Sequence, residues 1–261
     1  MLKRRVIRTV RRLARHAGFD VVRYPPAPPP SRAEVARGVL QSLRDNSLYA
    51  NESEVKFFEF CVPRTHLSSA QLFQDLFVLF HLREKRNGYF VEFGACDGIH
   101  LSNTYQLEHG WSGIVAEPAL TWHSKLTSNR KCSIDLRCVW NRTGDNLIFN
   151  ETENAEQSAI NSFAGLKGRH YTVPTVSLND LLSEHNAPRQ IDYLSVDTEG
   201  SELEVLRQFD FVHWRPQVIT VEHNFFEPKR SQIRLLMADN GYHQVLPEVS
   251  FWDDWYVHSP R

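Results

Sequence analysis

Apolar and polar positions along this chain change period several times, and each change marks an element. Leu2, Val6, Val10, Leu13 and Ala17 recur at helical spacing, with Ile7 and Ala14 beside them and arginines on most other positions. That spacing predicts a basic amphipathic helix within residues 1–24. The run Pro25–Pro30 cannot be helical and reads as a polyproline II linker, about 19 Å long at ~3.1 Å per residue. Capping-box patterns at Ser31-x-x-Glu34 and Ser68-x-x-Gln71 predict helices reaching Arg44 and Leu82, with Glu52–Phe60 helical between them. From Gly88 onward, short apolar runs alternate with helical segments. Strands are expected at Tyr89–Phe93, Gly113–Ala116, Ser133–Trp140, Asp192–Val196, Val218–Val221 and Tyr242–Leu246, with an antiparallel Trp252–His258 to finish. Helices are expected at Leu101–His109, Ala119–Asn129, Leu178–His185, Glu202–Phe209 and Lys229–Asn240. Leu147–Asn150 and Thr172–Val176 read as an inserted hairpin, joined by an aperiodic connection over Glu151–His170. Such alternation builds an α/β domain with a mostly parallel sheet. The chain thus divides into a tail (1–24), a linker (25–30), a helical extension (31–87) and an α/β domain (88–261).

Charge sharpens this division. The 261 residues net −1 overall, yet residues 1–24 hold eight Lys/Arg against Asp20 alone, a net of +7. The remaining residues hold 22 basic and 30 acidic side chains, a net of −8. A basic body of the kind that grips nucleic acid is therefore excluded, and no nucleic-acid partner is expected. A basic amphipathic tail suits an anionic membrane surface. The four cysteines have neither C-x-x-C nor finger spacing, which suits a reduced, cytoplasmic setting with the tail on the cytoplasmic membrane. In that setting the sequons at Asn51, Asn141 and Asn150 carry no meaning. No run is long enough to span a bilayer, and arginines interrupt any signal-peptide core in Met1–Gly18.

Ligands of open α/β sheets bind beyond the carboxyl ends of the strands, so the residues there carry the chemistry. The first strand ends Glu92-Phe-Gly94-Ala95-Cys-Asp97-Gly98, a small-residue turn that lets a ligand approach the backbone. A helix after it would offer free N–H groups. A dinucleotide fingerprint would place glycines at 94, 96 and 99, and this chain has Cys96 and Ile99. The second strand ends Glu117-Pro118, where a carboxylate can accept both hydroxyls of a ribose. The fourth ends Asp197-Thr198-Glu199-Gly200, followed by a capping box at Ser201-x-x-Glu204, and the fifth ends Glu222-His223-Asn224. His223 titrates nearest neutrality, and Glu222 is placed to orient its ring.

These stretches resemble the FkbM-type methyltransferase family. The likeness runs from Gln74-Asp75 through Glu92–Gly98, Ser102-Asn103-Thr104, Gly110–Pro118 and Asp197–Glu202, and it covers about Ser69 to Tyr242. It implies a Rossmann-like class I methyltransferase fold with a seven-stranded sheet, a C-terminal antiparallel strand and an N-terminal helical extension. It also implies methyl transfer from S-adenosylmethionine to a hydroxyl oxygen, usually of a sugar in a glycan or glycolipid or of a natural product. The cofactor would then lie on Glu92, Gly94, Ala95, Asp97, Gly98, Ser102, Asn103, Thr104, Glu117, Pro118 and Asp197. A hydroxyl needs a base, and Asp197, His223 and Glu199 are the candidates. Thr198 departs from the hydrophobic residue common in the family and adds a hydroxyl. The sequence shows no tight acidic cluster that would demand a cation on Asp197 and Glu222, so no metal is expected. Two other readings stay open: a nicotinamide oxidoreductase using Glu117 on the ribose, and a membrane-tethered nucleoside-binding module without turnover.

Overall fold

The computed structural model describes residues 41, 51–152, 158–160 and 168–259. The expected tail helix, the proline linker, the helix opening at Ser31 (Gln41 apart) and most of the 151–170 connection lie outside these residues. Everything below belongs to one compact unit, Asn51–Arg261.

That unit opens with α1 (Glu52–Cys61) and α2 (Gln74–His81). Asn51 starts α1 through a capping box with Glu54. The box expected at Ser68 does not form. Ser68 Oγ instead donates to Asp75 Oδ1 at 2.6 Å, and α2 begins only after Phe73, whose backbone is left-handed. Then come β1 (Tyr89–Phe93), β2 (Ser112–Ala116), α3 (Leu120–Asn129), β3 (Ser133–Asp135) and β4 (Cys138–Trp140). They are followed by β5 (Asn146–Thr152), β6 (Ala159–Ile160), β7 (Gly168–Ser177), α4 (Leu178–Glu184), β8 (Tyr193–Val196) and α5 (Glu202–Arg207). The unit closes with β9 (Val218–Glu222), α6 (Glu227–Asp239), β10 (Tyr242–Val245) and β11 (Asp253–His258).

Seven strands make the main sheet in the order β3-β2-β1-β8-β9-β11-β10, with β11 antiparallel to both neighbours and all other pairs parallel. This is the Rossmann-like class I arrangement. Both faces are buried, as a parallel sheet requires. Along β1, Val91 and Phe93 point into a core shared with Leu181, Leu206, Ile233 and Met237 from α4, α5 and α6. Phe90 points the other way, toward Phe57, Phe77 and Leu126 of α1, α2 and α3. Trp255 of β11 completes that second layer, stacked on Phe77 with ring centres 4.5 Å apart.

Two expected elements differ. Ser133–Trp140 is not one strand, because Asp135 Oδ1 accepts the Arg137 N–H and turns the chain out of the sheet. Its second half becomes β4 of a separate sheet, β4-β7-β5-β6, built on the β5–β7 hairpin and wider than the sequence pattern indicates. The helix expected at Leu101–His109 is also absent, apart from a short 3-10 turn at Leu107–His109. Ser102, Asn103 and Thr104 turn to Glu92 instead of continuing a helical ladder, and Leu101 adopts a positive φ of 59°. Among the described residues, no helix is long and apolar enough to cross a membrane.

Candidate active site

The chain runs outward from β1 through β2 to β3, then returns to the other side of β1 as β8. Ligands collect at such a reversal. Here the backbones after β1 and β8 meet so closely that a Cβ on Gly94 would lie 1.9 Å from the Asp197 carbonyl oxygen. With φ at +86° as well, the position admits only glycine. Above this junction opens a cavity of about 360 Å³, the size range of small-molecule sites.

On the β1/β2 side the cavity is lined by Gly94, Ala95, Ser102, Asn103, Glu117 and Pro118. Glu117 is held by two backbone donors, Cys96 N–H at 2.9 Å and Ala119 N–H at 2.7 Å. Burial nonetheless pushes its carboxyl up to about 7. Asn103 donates from Nδ2 to Ser195 Oγ at 2.9 Å, which leaves its buried Oδ1 without a partner. An unpaired buried acceptor beside a cavity fits a ligand donor such as an ammonium. Cys138 also reaches the wall, but burial raises its thiol to about 12, so it is no nucleophile at neutral pH.

Four residues expected on the cofactor stand behind this lining instead. Glu92 is buried and accepts from Ser102 Oγ, Asn103 N–H and Thr104 Oγ1, so its carboxylate fixes the 102–104 turn. Thr104 is likewise occupied, with Arg130 Nη2 as its donor at 2.9 Å. Asp97 accepts the N–H groups of Ile99 and His100, which consumes the donors a helix start would have offered. Gly98 is small because a Cβ would meet Arg130 Cγ at 2.7 Å and Leu126 Cδ1 at 2.8 Å.

On the β8/β9 side stand Asp197, Thr198, Glu199, Glu222 and Asn224. Carboxylate oxygens of Asp197, Glu199 and Glu222 all lie within 4.8 Å of one another. The fold thus assembles the acidic cluster that the sequence alone does not show. Carboxylates so close either share protons or take a hard cation between them. Asp197 is raised well above the usual carboxylate range by burial first and by Glu199 next. Glu222 is pushed up to about 11 by burial and by Asp197. Glu199, on a backbone with φ 53°, is raised to about 7 by burial and by Glu202. The turn is shaped by Glu202, not by the expected Ser201 box. Glu202 Oε1 accepts the N–H groups of Thr198 and Gly200 and the Thr198 hydroxyl, and Oε2 pairs with Lys229 Nζ at 2.6 Å.

His223 is not brought into the cavity. Its ring is 1% exposed, Nδ1 accepts the Phe225 N–H at 2.9 Å, and Nε2 lies 3.5 Å from Asp254 Oδ1. Arg230 and Arg234 also pair with Asp254; burial pushes its carboxyl up, but His223 and Arg230 beside it hold it below the usual range. A base must reach its proton, and His223, expected as a candidate base, does not line the cavity but accepts from the turn at Asn224 and Phe225.

Among the wall residues outside the expected cofactor and catalytic sets are Gln74, Glu222 and Trp252. Gln74 Nε2 donates to Asp253 Oδ2 at 2.8 Å, which ties α2 to the start of β11. Trp252 was hidden by the strand polarity, because β11 runs antiparallel and presents its first residues, not its last, at this end of the sheet.

A carboxylate beyond β2, a tightly packed glycine turn after β1 and acids beyond β8 thus converge on one cavity. The Methyltransferase FkbM domain matches residues 92–243, more than half of the chain, and the chain belongs to this methyltransferase family. Among solved structures, an O-methyltransferase from Bacillus cereus in complex with SAH is similar over 96% of this chain and 97% of its own, at 15% identity and TM-score 0.40. Precorrin-6y C5,15-methyltransferase from Geobacter metallireducens GS-15 is similar over 70% of this chain and 80% of its own, at 12% identity and TM-score 0.38. No curated protein matches the chain.

Proposed function

We propose that this methyltransferase uses S-adenosylmethionine to methylate a hydroxyl oxygen of a sugar, in a glycan or glycolipid, or of a natural product. The observation that carries this reading is the cluster of Asp197, Glu199 and Glu222 facing Glu117 across one cavity. When bound, S-adenosylmethionine supplies an electrophilic methyl group. The residues present fit it: Glu117 as acceptor for the ribose hydroxyls, Asn103 Oδ1 for the ammonium, and the Gly94-Ala95 turn as the surface it lies on.

The chain's own task is to orient a neutral hydroxyl and remove its proton as the new bond forms. Asp197 is suited to this. In its ionised form burial and Glu199 raise its basicity, and Glu222 hydrogen-bonds it. Glu199, pushed up to about 7 by burial and by Glu202, stands next to it and can pass the proton outward.

Calorimetry tests the cofactor: the purified chain should bind S-adenosylhomocysteine and bind nicotinamide dinucleotides weakly at most. Mass spectrometry of glycolipids and polysaccharides from cells with and without the gene tests the acceptor, through a difference of about 14 daltons per methyl added. Absence of S-adenosylhomocysteine binding would sink the reading.

The same proposal places residues 1–24, with their net charge of +7, on an anionic membrane surface near a lipid-linked acceptor. Deleting Met1–Pro30 should release the protein from anionic vesicles at low salt and leave methylation of a soluble acceptor unchanged. A full-length chain that ignores such vesicles would refute the tether.

A further inference from the structure

Next to the cavity-lining residues Asn224 and Trp252 stand two exposed aromatic rings. Phe225 and Phe251 are 55% and 54% exposed, and their rings stand edge to face at 5.3 Å. Phe251 also meets Trp252 at 4.7 Å, and Trp252 lines the cavity beside Asn224. Burying such rings would be favourable, yet the fold holds them out. It does so with left-handed backbone at Asn224, Phe225 and Phe251, at φ 44°, 56° and 52°. Bulky side chains avoid that region, and where they occupy it the surrounding structure must enforce it. The enforcement is visible. His223 Nδ1 accepts the Phe225 N–H, and the Trp252 carbonyl accepts both the His223 N–H at 2.9 Å and the Asn224 N–H at 3.2 Å. The turn after β9 and the turn before β11 are therefore fastened to each other, with their rings side by side.

Resting on the methyl-transfer reading above, we propose that Phe225, Phe251 and Trp252 form the acceptor platform, and that its occupant is a neutral pyranose. The chemistry on each side of the platform selects this occupant. Aromatic faces attract polarised C–H groups, which a pyranose presents on one face of its ring. Lining the same cavity as Trp252 are Asp197, Glu199 and Glu222, acceptors and proton-sharing groups that match the hydroxyls on the pyranose edge. An anionic lipid surface would meet these acids with repulsion, and an aliphatic chain would leave them unpaired. A saturated ring with an apolar face and a rim of hydroxyls satisfies both surfaces at once.

The test uses the full chain with S-adenosylhomocysteine present, titrated with a panel of methyl pyranosides and followed by saturation-transfer NMR. At least one pyranoside should bind, with transfer strongest on the ring C–H protons of one face. Phe225→Leu/Phe251→Leu keeps apolar bulk and removes both π faces, and it should weaken that binding about tenfold, the scale of two aromatic contacts. Phe225→Tyr/Phe251→Tyr should bind as the parent does. S-adenosylhomocysteine affinity, read in the same samples, should be equal in all three proteins. The proposal is overturned if no pyranoside binds the parent, or if the leucine variant binds equally well. It is also overturned if that variant loses only its binding to phosphatidylglycerol vesicles. Failure of the parent to bind S-adenosylhomocysteine counts against the methyl-transfer reading alone, because the pyranoside titrations are read independently.

Discussion

The two sides of the cavity treat their carboxylates in opposite ways. On the β1/β2 side, Glu92 has three donors from the 102–104 turn and Glu117 has two backbone N–H groups. On the β8/β9 side, Asp197, Glu199 and Glu222 crowd within 4.8 Å, and each is raised by burial and by another acid. Buried polar groups with full sets of partners rigidify a structure, whereas acids left to one another hold protons that can move. On the proposed reading, the first side is a frame for binding and the second carries the chemistry.

The contrast breaks most visibly at Asp197. Asp197→Asn keeps the shape and removes the base, so turnover should drop by about 10²–10⁴-fold while S-adenosylhomocysteine affinity stays near that of the parent. Equal losses in both would make Asp197 part of the frame. Activity that disappears on exhaustive chelation and returns with magnesium would show that the cluster holds a cation rather than shared protons. On the frame side, Glu117→Ala should weaken S-adenosylhomocysteine by about 10–100-fold, since bonds to a charged acceptor are worth roughly 1.5–3 kcal/mol. Unaltered affinity in a calorimeter would remove Glu117 from the ribose.

A smaller effect is expected at His223, which lies on neither surface. His223→Ala should raise the KM for the acceptor about tenfold and change kcat less, because it loosens the turn at Asn224 without removing a reacting group. A kcat loss as large as that of Asp197→Asn would restore His223 as the base.

The smallest effect is in the pH dependence. Glu117, Asp197 and Glu222 all have folded-state values above the ordinary carboxylate range. The folded chain therefore binds more protons than the unfolded chain above about pH 4.5. Their contribution to stability is complete below that ordinary value and is lost as pH rises through the folded values. The melting temperature of the ligand-free chain should fall between about pH 5 and pH 8, and Glu117→Gln should flatten part of the slope. S-adenosylhomocysteine affinity should climb over the same window, because the ribose hydroxyls require ionised Glu117. A melting temperature that rises with pH would contradict the assigned environments.

Much of this was legible before any coordinates. β1 falls where the apolar run Tyr89–Phe93 places it, and the acids at 117, 197 and 199 reach the cavity because a parallel strand points its last residues there. What was hidden follows from two physical causes. The sequence reads Ser102-Asn103-Thr104 as the start of a helix, because it cannot show that Glu92, ten residues earlier, captures all three. It also directs attention to the carboxyl ends of strands, whereas the antiparallel β11, expected as such, brings Trp252 to the cavity just ahead of its first residue. His223 illustrates the converse. It sits at a strand end as expected, but strand ends alternate between faces, and its ring turns toward Asp254.

Arg130 has a consequence for motion. Its side chain is fully buried, and it binds Glu108, the Gly98 carbonyl, Ser102 and Thr104 while lying against Glu92. One guanidinium therefore bolts together a loop that has almost no regular structure of its own. Such a loop cannot open residue by residue, since freeing any one contact leaves a buried cation short of partners. Its amide protons should exchange with solvent in a single cooperative event, as slowly as those of a helix, so that an irregular stretch of the backbone is also among the stiffest of the described residues.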